Sequence, residues 1–175
     1  MAQDFDKIFK ENIGDREVII TELKALLGVE NIYIIPTLSD DISGHADGMV
    51  KFINDDTLLV GDYSYYPISW KKKMDTALTK TGLKIISYPS INYEEKNQDG
   101  DYTAMGVYIN FAQIGDKILF PLFGLPGEKE MEALGLTESL YPDCKVIPID
   151  AMDIAEQGGV LNCITWNIKT NSHLS

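Results

Sequence analysis

A histidine, an aspartate and a cysteine in this sequence have the side chains and the surroundings that thiolate chemistry needs. His45 and Asp47 lie two residues apart in the segment GHADG at 44–48, and Cys163 lies in the distant segment GGVLNCIT at 158–165. A cysteine attacks as its thiolate, which a nearby imidazolium stabilises, and the imidazole can later act as general acid and base. The carboxylate could orient the imidazole or pair with a guanidinium. The three residues therefore indicate thiolate attack on a cationic carbon.

Few other residues could carry this chemistry, although a purely structural role for the three stays open. The chain has only two histidines and two cysteines. We expect the second histidine, His173, to be solvated in the polar tail, and the second cysteine, Cys144, to be a turn residue without a chemical role. A His-X-Asp triplet is common, and a cysteine in an apolar strand is usually a small core side chain. Two metal-ligating residues without a third histidine argue against a zinc centre.

Composition restricts the class of protein further. The chain has 175 residues, a formal net charge of −12 and 45% hydrophobic residues, which is typical of a single soluble globular domain spanning 1–175. The negative charge disfavours nucleic acid and anionic membrane as partners and favours small cations. No apolar run reaches the roughly 20 residues that span a bilayer, and the N-terminus has no signal-peptide pattern. Since two cysteines are too few for a disulfide scaffold, we expect a cytoplasmic protein.

Helical and extended segments alternate along the chain, and they must position the three residues. Apolar residues at helical spacing predict helices at 16–27, 70–81 and 128–136. Short apolar runs between turn residues predict strands at 31–35, 49–53, 57–61, 84–88, 108–111, 117–121, 145–149 and 160–168. We expect His45 and Asp47 to project to one side because positions i and i+2 of a strand share a face. The order repeats roughly every 60 residues, which fits either blades around an axis or an open mixed sheet.

Five segments of the sequence carry a family resemblance. GHAD at 44–47 resembles a Gly-His-X-Asp motif, and YINF at 108–111 resembles a Tyr-Val-Asn-Phe strand. PLFG at 121–124 resembles Pro-X-Phe-Gly, and YP at 141–142 resembles a Phe-Pro pair before a strand. GGVLNCIT at 158–165 resembles the nucleophile motif Gly-Gly-X-X-His-Cys-Ile-Thr. In this order, these motifs resemble the C-terminal half of the bacterial peptidylarginine deiminase and agmatine deiminase family, in the guanidine-modifying (pentein) superfamily.

The resemblance implies a reaction and a role for each of the three residues. Cys163 would attack the guanidinium carbon of agmatine, arginine or peptidyl-arginine. His45 would protonate the leaving ammonia and then activate water, while Asp47 would bind guanidinium nitrogens. The intermediate would be a covalent thiouronium on the cysteine, hydrolysed to a ureido product. The resemblance implies no metal and no organic cofactor.

The resemblance also implies a fold, a five-bladed α/β propeller around a central site. About three blades of mixed strands, with helices outside, would lie in this chain. Asn162 departs from the motif, which has histidine at that position, and this leaves the choice of substrate open. The family's second guanidinium-binding aspartate and a further acidic residue belong to an N-terminal half that precedes the matching region. We expect Asp40 and Asp41 to be loop residues rather than substitutes for them.

A partial propeller would expose strand edges, and such edges invite pairing with another chain. We therefore expect a homodimer or association with a separately encoded N-terminal half. Two other functions stay open at this point. One is a catalytically silent module that binds guanidino compounds, and the other is a transferase that moves the amidino group to an amine.

Overall fold

Two three-stranded sheets and their connecting helices make up most of the fold. The structure is a computed structural model that describes residues 16–38, 45–91, 96–98 and 100–166. The helices are α1 (Arg16–Leu27), α2 (Ile68–Thr79), α3 (Lys129–Leu140) and α4 (Met152–Glu156). The strands are β1 (Val50–Phe52), β2 (Thr57–Gly61), β3 (Lys84–Tyr88), β4 (Ala112–Ile114), β5 (Lys117–Leu122) and β6 (Lys145–Asp150). Within these described ranges, no helix has the length and apolar character that crossing a membrane requires.

Both sheets have the same topology. β1 pairs antiparallel with β2, and β2 pairs parallel with β3. β4 pairs antiparallel with β5, and β5 pairs parallel with β6. A parallel neighbour needs a crossover connection, which α2 provides in the first sheet and α3 in the second. We refer to β1–β2–α2–β3 as the first unit and to β4–β5–α3–β6 as the second unit.

Local sequence accounts for the hairpin turns and for the buried central strands. In the first unit, the side-chain oxygen of Asn54 accepts a hydrogen bond from the N–H of Asp56 at 3.1 Å, as in an Asx turn. In the second unit, Gly115 at the hairpin tip has a φ of 59°, which glycine adopts without a steric penalty. All five residues of β2, with the sequence TLLVG, are buried, as expected for a strand covered on both faces.

The two units share one large core, and the first unit has a second, smaller core. The large core is rich in aromatic side chains, and the rings of Tyr108 and Phe120 are parallel with centroids 6.1 Å apart. Tyr88, the last residue of β3, donates a hydrogen bond from its hydroxyl to the carbonyl oxygen of Ala133 in α3 at 3.3 Å. This contact fastens the first unit to the second. The smaller core consists of Met49, Leu58, Val60, Tyr63, Tyr66, Met74 and Leu78.

Most of the predicted elements are confirmed. The helix at 16–27 and the strands at 57–61 and 84–88 have the bounds that the sequence pattern predicts. α2 begins earlier than predicted, directly after Pro67, and α3 continues as far as Leu140. Periodicity misses α4, because a helix of 5 residues is too short to show a helical repeat.

Three predicted strands, at 31–35, 108–111 and 160–168, are wrong. No strand forms at 31–35, because neither sheet has a strand there for it to pair with. Residues 108–111 and the described residues 160–166 form turns or irregular backbone instead of strands, and 167–168 lie outside the described residues. The described residues therefore form two sheets of an α/β fold, where about three blades were expected.

Candidate active site

Three four-residue turns carry the side chains of the candidate site. In each turn, the N–H of the fourth residue donates to the carbonyl oxygen of the first, at 2.9, 3.2 and 3.1 Å in chain order. The first turn leads directly into β1, the second leads into β4, and the third follows α4. We name each turn by the side chain that it contributes: the Asp47 turn (46–49), the Asn110 turn (107–110) and the Cys163 turn (160–163).

The structure brings His45 and Asp47 together, but not in the predicted way. The strand in this region begins only at Val50, so the argument that positions i and i+2 share a strand face is wrong. His45 and Asp47 nevertheless line one cavity, and the positive charge of His45 acts on the carboxylate. A turn that begins directly after His45, rather than a pleated strand, therefore places Asp47 near the histidine.

Hydrogen bonds from Asn162 hold the three turns against one another. The backbone N–H of Asn162 donates to Asn110, with the carbonyl oxygen and the side-chain Oδ1 both at 3.1 Å. The side-chain Nδ2 of Asn162 donates to Oδ2 of Asp47 at 2.8 Å. One residue thus fixes the Cys163 turn to both of the other turns.

The thiol of Cys163 lies between these polar groups and is exposed. Its Sγ is 3.4 Å from Oδ1 of Asn110 and 3.7 Å from Oδ2 of Asp47. Gly159 lies against the cysteine, since a β-carbon at that glycine would be 3.4 Å from Cβ of Cys163. A carboxylate and a free thiol therefore face the same small space.

The surroundings of Asp47 favour its ionised form. Burial by itself would raise the pKa of Asp47, but hydrogen bonds from Asn162 and Asn110, the charge of His45 and a weaker hydrogen bond from Cys163 outweigh it. The pKa of Asp47 is consequently lowered from its ordinary value. Near neutral pH, Asp47 is a carboxylate whose Oδ2 already accepts a hydrogen bond.

A cavity of about 340 Å³ lies over the three turns, and the predicted residues His45, Asp47 and Cys163 all line it. This volume is at the lower end for small-molecule sites. The lining also includes Asp101 and three tyrosines, and none of its described residues is a lysine or an arginine. Within the described part of the chain, no group of three or more His, Cys, Asp or Glu side chains is arranged to hold a metal ion. The three tyrosines are Tyr65, Tyr66 and Tyr102.

Asn110 and Asp101 are site residues for which the sequence pattern predicts no role. The signal for Asn110 is its position as a polar residue inside the apolar run YINF, where it is 1% exposed. Asp101 has no comparable signal, because it lies in a polar stretch where acidic residues are ordinary. Cys144 does not line the cavity and lies beside Gln113, with its Sγ 3.8 Å from Nε2. The predictions for Asp40, Asp41 and His173 fall outside the described residues.

The α/β fold of two mixed sheets is similar to that of the pentein deiminases. The match to a family is explicit. The chain belongs to the Porphyromonas-type peptidyl-arginine deiminase family, which it matches over residues 10–168.

Individual relatives are named as deiminases. "Putative agmatine deiminase 2" of Listeria monocytogenes is 39% identical over 83 residues, which is 47% of this chain and 22% of that protein. "Putative agmatine deiminase" of Latilactobacillus sakei is 29% identical over 182 residues, which cover 87% of this chain and 48% of that protein. The chain thus spans about half the length of the relatives that it matches along most of its own length.

Solved structures agree on the fold. The structure named "Putative Arginine Deiminase from Porphyromonas gingivalis" superposes with a TM-score of 0.68 at 26% identity, covering 86% of this chain and 46% of that one. The agmatine deiminase of C. jejuni superposes with a TM-score of 0.70 at 22% identity, covering 89% and 47%. At the latter identity the likeness concerns the fold alone.

Proposed function

We propose that this chain carries the catalytic cysteine of a deiminase that hydrolyses the guanidino group of a small molecule and releases ammonia. One observation carries the proposal. The carboxylate of Asp47 and the thiol of Cys163 lie 3.7 Å apart at a cavity that His45 also lines. A carboxylate and a thiol this close can contact one guanidinium together, the carboxylate at its nitrogens and the sulfur at its carbon.

The proposed reaction has two halves. In the first, Asp47 binds guanidinium nitrogens, the thiolate of Cys163 forms a bond to the guanidinium carbon, and the C–N bond to one amino group breaks. His45 donates a proton to that amino group, which leaves as ammonia, and a thiouronium remains on the sulfur. In the second half, His45 removes a proton from water, which attacks the same carbon. The C–S bond then breaks, which restores the thiolate and gives a ureido product.

We infer that the preferred substrate is a guanidino compound that carries a second positive charge, as agmatine does. The described cavity lining has two carboxylates, Asp47 and Asp101, and no lysine or arginine to pair with the α-carboxylate of arginine. Tyr65 and Tyr66 line the same cavity, and tyrosine rings attract ammonium groups. Tyr102 already has such a partner, because Nζ of Lys96 lies 4.5 Å from the centroid of its ring. The amine of agmatine therefore finds favourable partners where a carboxylate would find repulsion.

We further propose that the two units are neighbouring blades of a five-bladed propeller and that a second polypeptide covers the open side of the site. Cys163 is exposed, and so are two large side chains that follow it, Ile164 at 65% and Trp166 at 86%. α1 has no buried residue, and its Leu26 is 80% exposed. The second polypeptide would be another copy of this chain or a separately encoded N-terminal half. If light scattering shows a monodisperse monomer at every concentration, the proposal that another copy of this chain covers the site would be contradicted.

Ammonia release from agmatine, measured with a coupled assay, tests the function. We expect Cys163→Ala to abolish release while the thermal unfolding curve stays close to that of the native chain. Cys144→Ala is the matched control and should retain activity, because that thiol does not line the cavity. Release that persists in Cys163→Ala would refute the mechanism.

The second candidate function is a silent module that binds guanidino compounds. It is kept because the chain spans 48% of the length of the relatives that it matches along most of its own length, and binding of a guanidinium needs fewer groups than its hydrolysis does. Agmatine would then raise the melting temperature without any release of ammonia. Transfer of the amidino group to an added amine, again without free ammonia, would indicate a transferase instead.

A further inference from the structure

Lys51 is a partly buried cation directly behind the site, and the proposed reaction does not use it. It is the middle residue of β1 and follows Asp47 by four positions. Its Nζ donates a hydrogen bond to the carbonyl oxygen of Phe111 at 2.9 Å and lies 4.5 Å from the centroid of the Phe111 ring. Lys51 does not line the cavity, so its ammonium group would act on the site without touching a substrate there.

The acceptor of this hydrogen bond links the ammonium group to the reactive thiol. Phe111 directly follows Asn110, whose Oδ1 is 3.4 Å from Sγ of Cys163. Lys51 therefore bonds to the residue next to the one that contacts the sulfur. The charges of Asp47 and Cys163 act on Lys51 as well.

Burial and these negative charges have opposite effects on the lysine. Burial lowers the pKa of Lys51, the negative charges of Asp47 and Cys163 raise it, and the net result is a pKa below the ordinary value. Electrostatic interaction is mutual, so an ammonium group that is stabilised by a carboxylate and a thiolate stabilises them in return.

In the free site, a thiolate and a carboxylate would repel each other, and the positive charge of Lys51 would reduce this repulsion. A thiolate on Cys163 would stand 3.7 Å from the carboxylate of Asp47, and two negative groups at such a distance disfavour each other's ionisation. A bound guanidinium would relieve this repulsion, but only once the substrate has arrived. Apart from the three tyrosines, the other titratable groups that line the cavity in the described ranges are His45, which can carry a positive charge, and Asp101, which adds a negative one.

We propose that Lys51 is a positioning residue whose buried positive charge keeps Asp47 and Cys163 ionised together before substrate binds. This inference rests on the proposed function, because it concerns the same cysteine. It assigns to β1 an electrostatic role in addition to its structural one. It also explains why a lysine, rather than an apolar residue, fills a partly buried position beside a phenylalanine ring.

Alkylation of Cys163 by iodoacetamide tests this role without requiring turnover. The reagent is small and uncharged, so a change in rate reports on the thiol and not on attraction of the reagent. Mass spectrometry resolves Cys163 from Cys144, which serves as an internal reference within the same sample. The rates should be measured at about pH 7 and at about pH 10, where even an unperturbed thiol is ionised.

We expect Lys51→Met to slow alkylation of Cys163 by about tenfold or more at neutral pH, since one nearby opposite charge shifts ionisation by about one to three pH units. At high pH the rates of the variant and the native chain should converge. Lys51→Arg should keep most of the native rate. Lys51→Gln keeps a donor for the Phe111 carbonyl without the charge, and should behave like Lys51→Met. Lys117→Met, which removes an exposed surface charge, should change nothing.

The outcomes separate this inference from the proposed function. A rate for Cys163 that is fast in the native chain and unchanged in Lys51→Met and Lys51→Gln would overturn the role of Lys51 alone. An equal loss at both pH values would show a structural role and overturn it as well. If native Cys163 reacts no faster than Cys144 at neutral pH, the thiol is not activated in the free site and the role of Lys51 fails. The proposed function is then decided by ammonia release from agmatine, where the substrate itself supplies a positive charge.

Discussion

The first and second units have the same topology, yet the turns that precede their hairpins carry different polar residues. The turn before β1 presents Asp47, and the turn before β4 presents Asn110. Both side chains reach Sγ of Cys163, at 3.7 Å from the aspartate and at 3.4 Å from the asparagine. Residues from the corresponding turns of the two units thus meet at one thiol, one with an ionisable group and the other with a neutral one.

The difference follows from burial. Asn110 is 1% exposed, whereas Asp47 is only partly buried and lines the cavity. An unpaired charge at a buried position carries a large free-energy penalty, but an amide that is hydrogen-bonded there does not. A carboxylate is tolerated where solvent or a cationic substrate can reach it. The second unit therefore contributes a buried, neutral hydrogen-bonding residue to the site, and the first unit contributes its carboxylate.

The largest effect is expected when the charge is removed from the first unit. Asp47→Asn makes the two turns alike, and it should reduce kcat/KM for agmatine by roughly 30-fold to several thousand-fold, the loss expected when one partner of a buried charge pair is removed. Stability should change little, because the new amide oxygen can still accept the hydrogen bond from Asn162 that is 2.8 Å long in the native site. Ammonia release and thermal unfolding measure the two quantities separately.

Asp101→Asn is the matched control for this change. It removes another carboxylate that lines the cavity but leaves the one beside the thiol. We expect a rise in KM for agmatine with a smaller change in kcat. If Asp47→Asn and Asp101→Asn lowered kcat/KM for agmatine by the same factor, the proposal that the Asp47 turn has a special role would be wrong.

The sequence predicts the titratable residues of the site better than it predicts the neutral Asn110. His45, Asp47 and Cys163 are predicted from residue type, and the structure places all three at one cavity. The apolar runs at 57–61 and 84–88 give β2 and β3 with the correct bounds, because a local period is enough to specify a buried strand.

Asn110 shows why the rest could not be predicted. The run YINF, which has one polar residue, predicts a strand. The segment forms a turn instead, and in it Asn110 accepts a hydrogen bond from the N–H of Asn162, which is 52 residues away. The segment 31–35 fails for a related reason, since a strand exists only where a second strand pairs with it. In both places the outcome depends on a distant part of the chain, which is present for Asn110 and, among the described residues, missing for 31–35.

A charge placed in the second unit should act on stability. Asn110→Asp keeps an oxygen that can accept the N–H of Asn162, but it buries a carboxylate beside Asp47 and Cys163. We expect the free energy of unfolding at pH 7 to fall by about 2–4 kcal/mol. Because burial disfavours the charged form, the loss should shrink as the pH falls and the new carboxyl group is protonated. Urea unfolding at several pH values measures this, and a loss that does not vary with pH would contradict the explanation.

A smaller effect is expected where the two units are joined. Tyr88→Phe removes the hydroxyl that reaches from β3 to the Ala133 carbonyl and to Oγ1 of Thr137 in α3. Thr137 keeps its own hydrogen bond to Ala133 at 2.8 Å, so few groups are left unpaired. We expect a loss of about 1 kcal/mol in unfolding free energy, with native alkylation of Cys163. A loss of cooperativity in unfolding would show that this contact couples the units more strongly than its hydrogen bond implies.

The smallest effect concerns Asn162, which holds the turns of both units together. Asn162→Ala removes the side-chain hydrogen bond to Asp47 but leaves the backbone N–H that binds Asn110. Since Asp47 is only partly buried, solvent screening should limit the loss in unfolding free energy to about 0.5–1 kcal/mol.

The sign of its pH dependence follows from Asp47. The folded pKa of this carboxyl is lowered from 3.8, in part by the hydrogen bond from Asn162. The stabilisation is therefore fully present above that value and is lost as the pH falls through the lower, folded pKa. Urea unfolding of Asn162→Ala and of the native chain should differ at pH 6 and converge at acidic pH. A difference that persisted in acid would mean that Asn162 stabilises the turns by packing, and not through the charge that the first unit supplies.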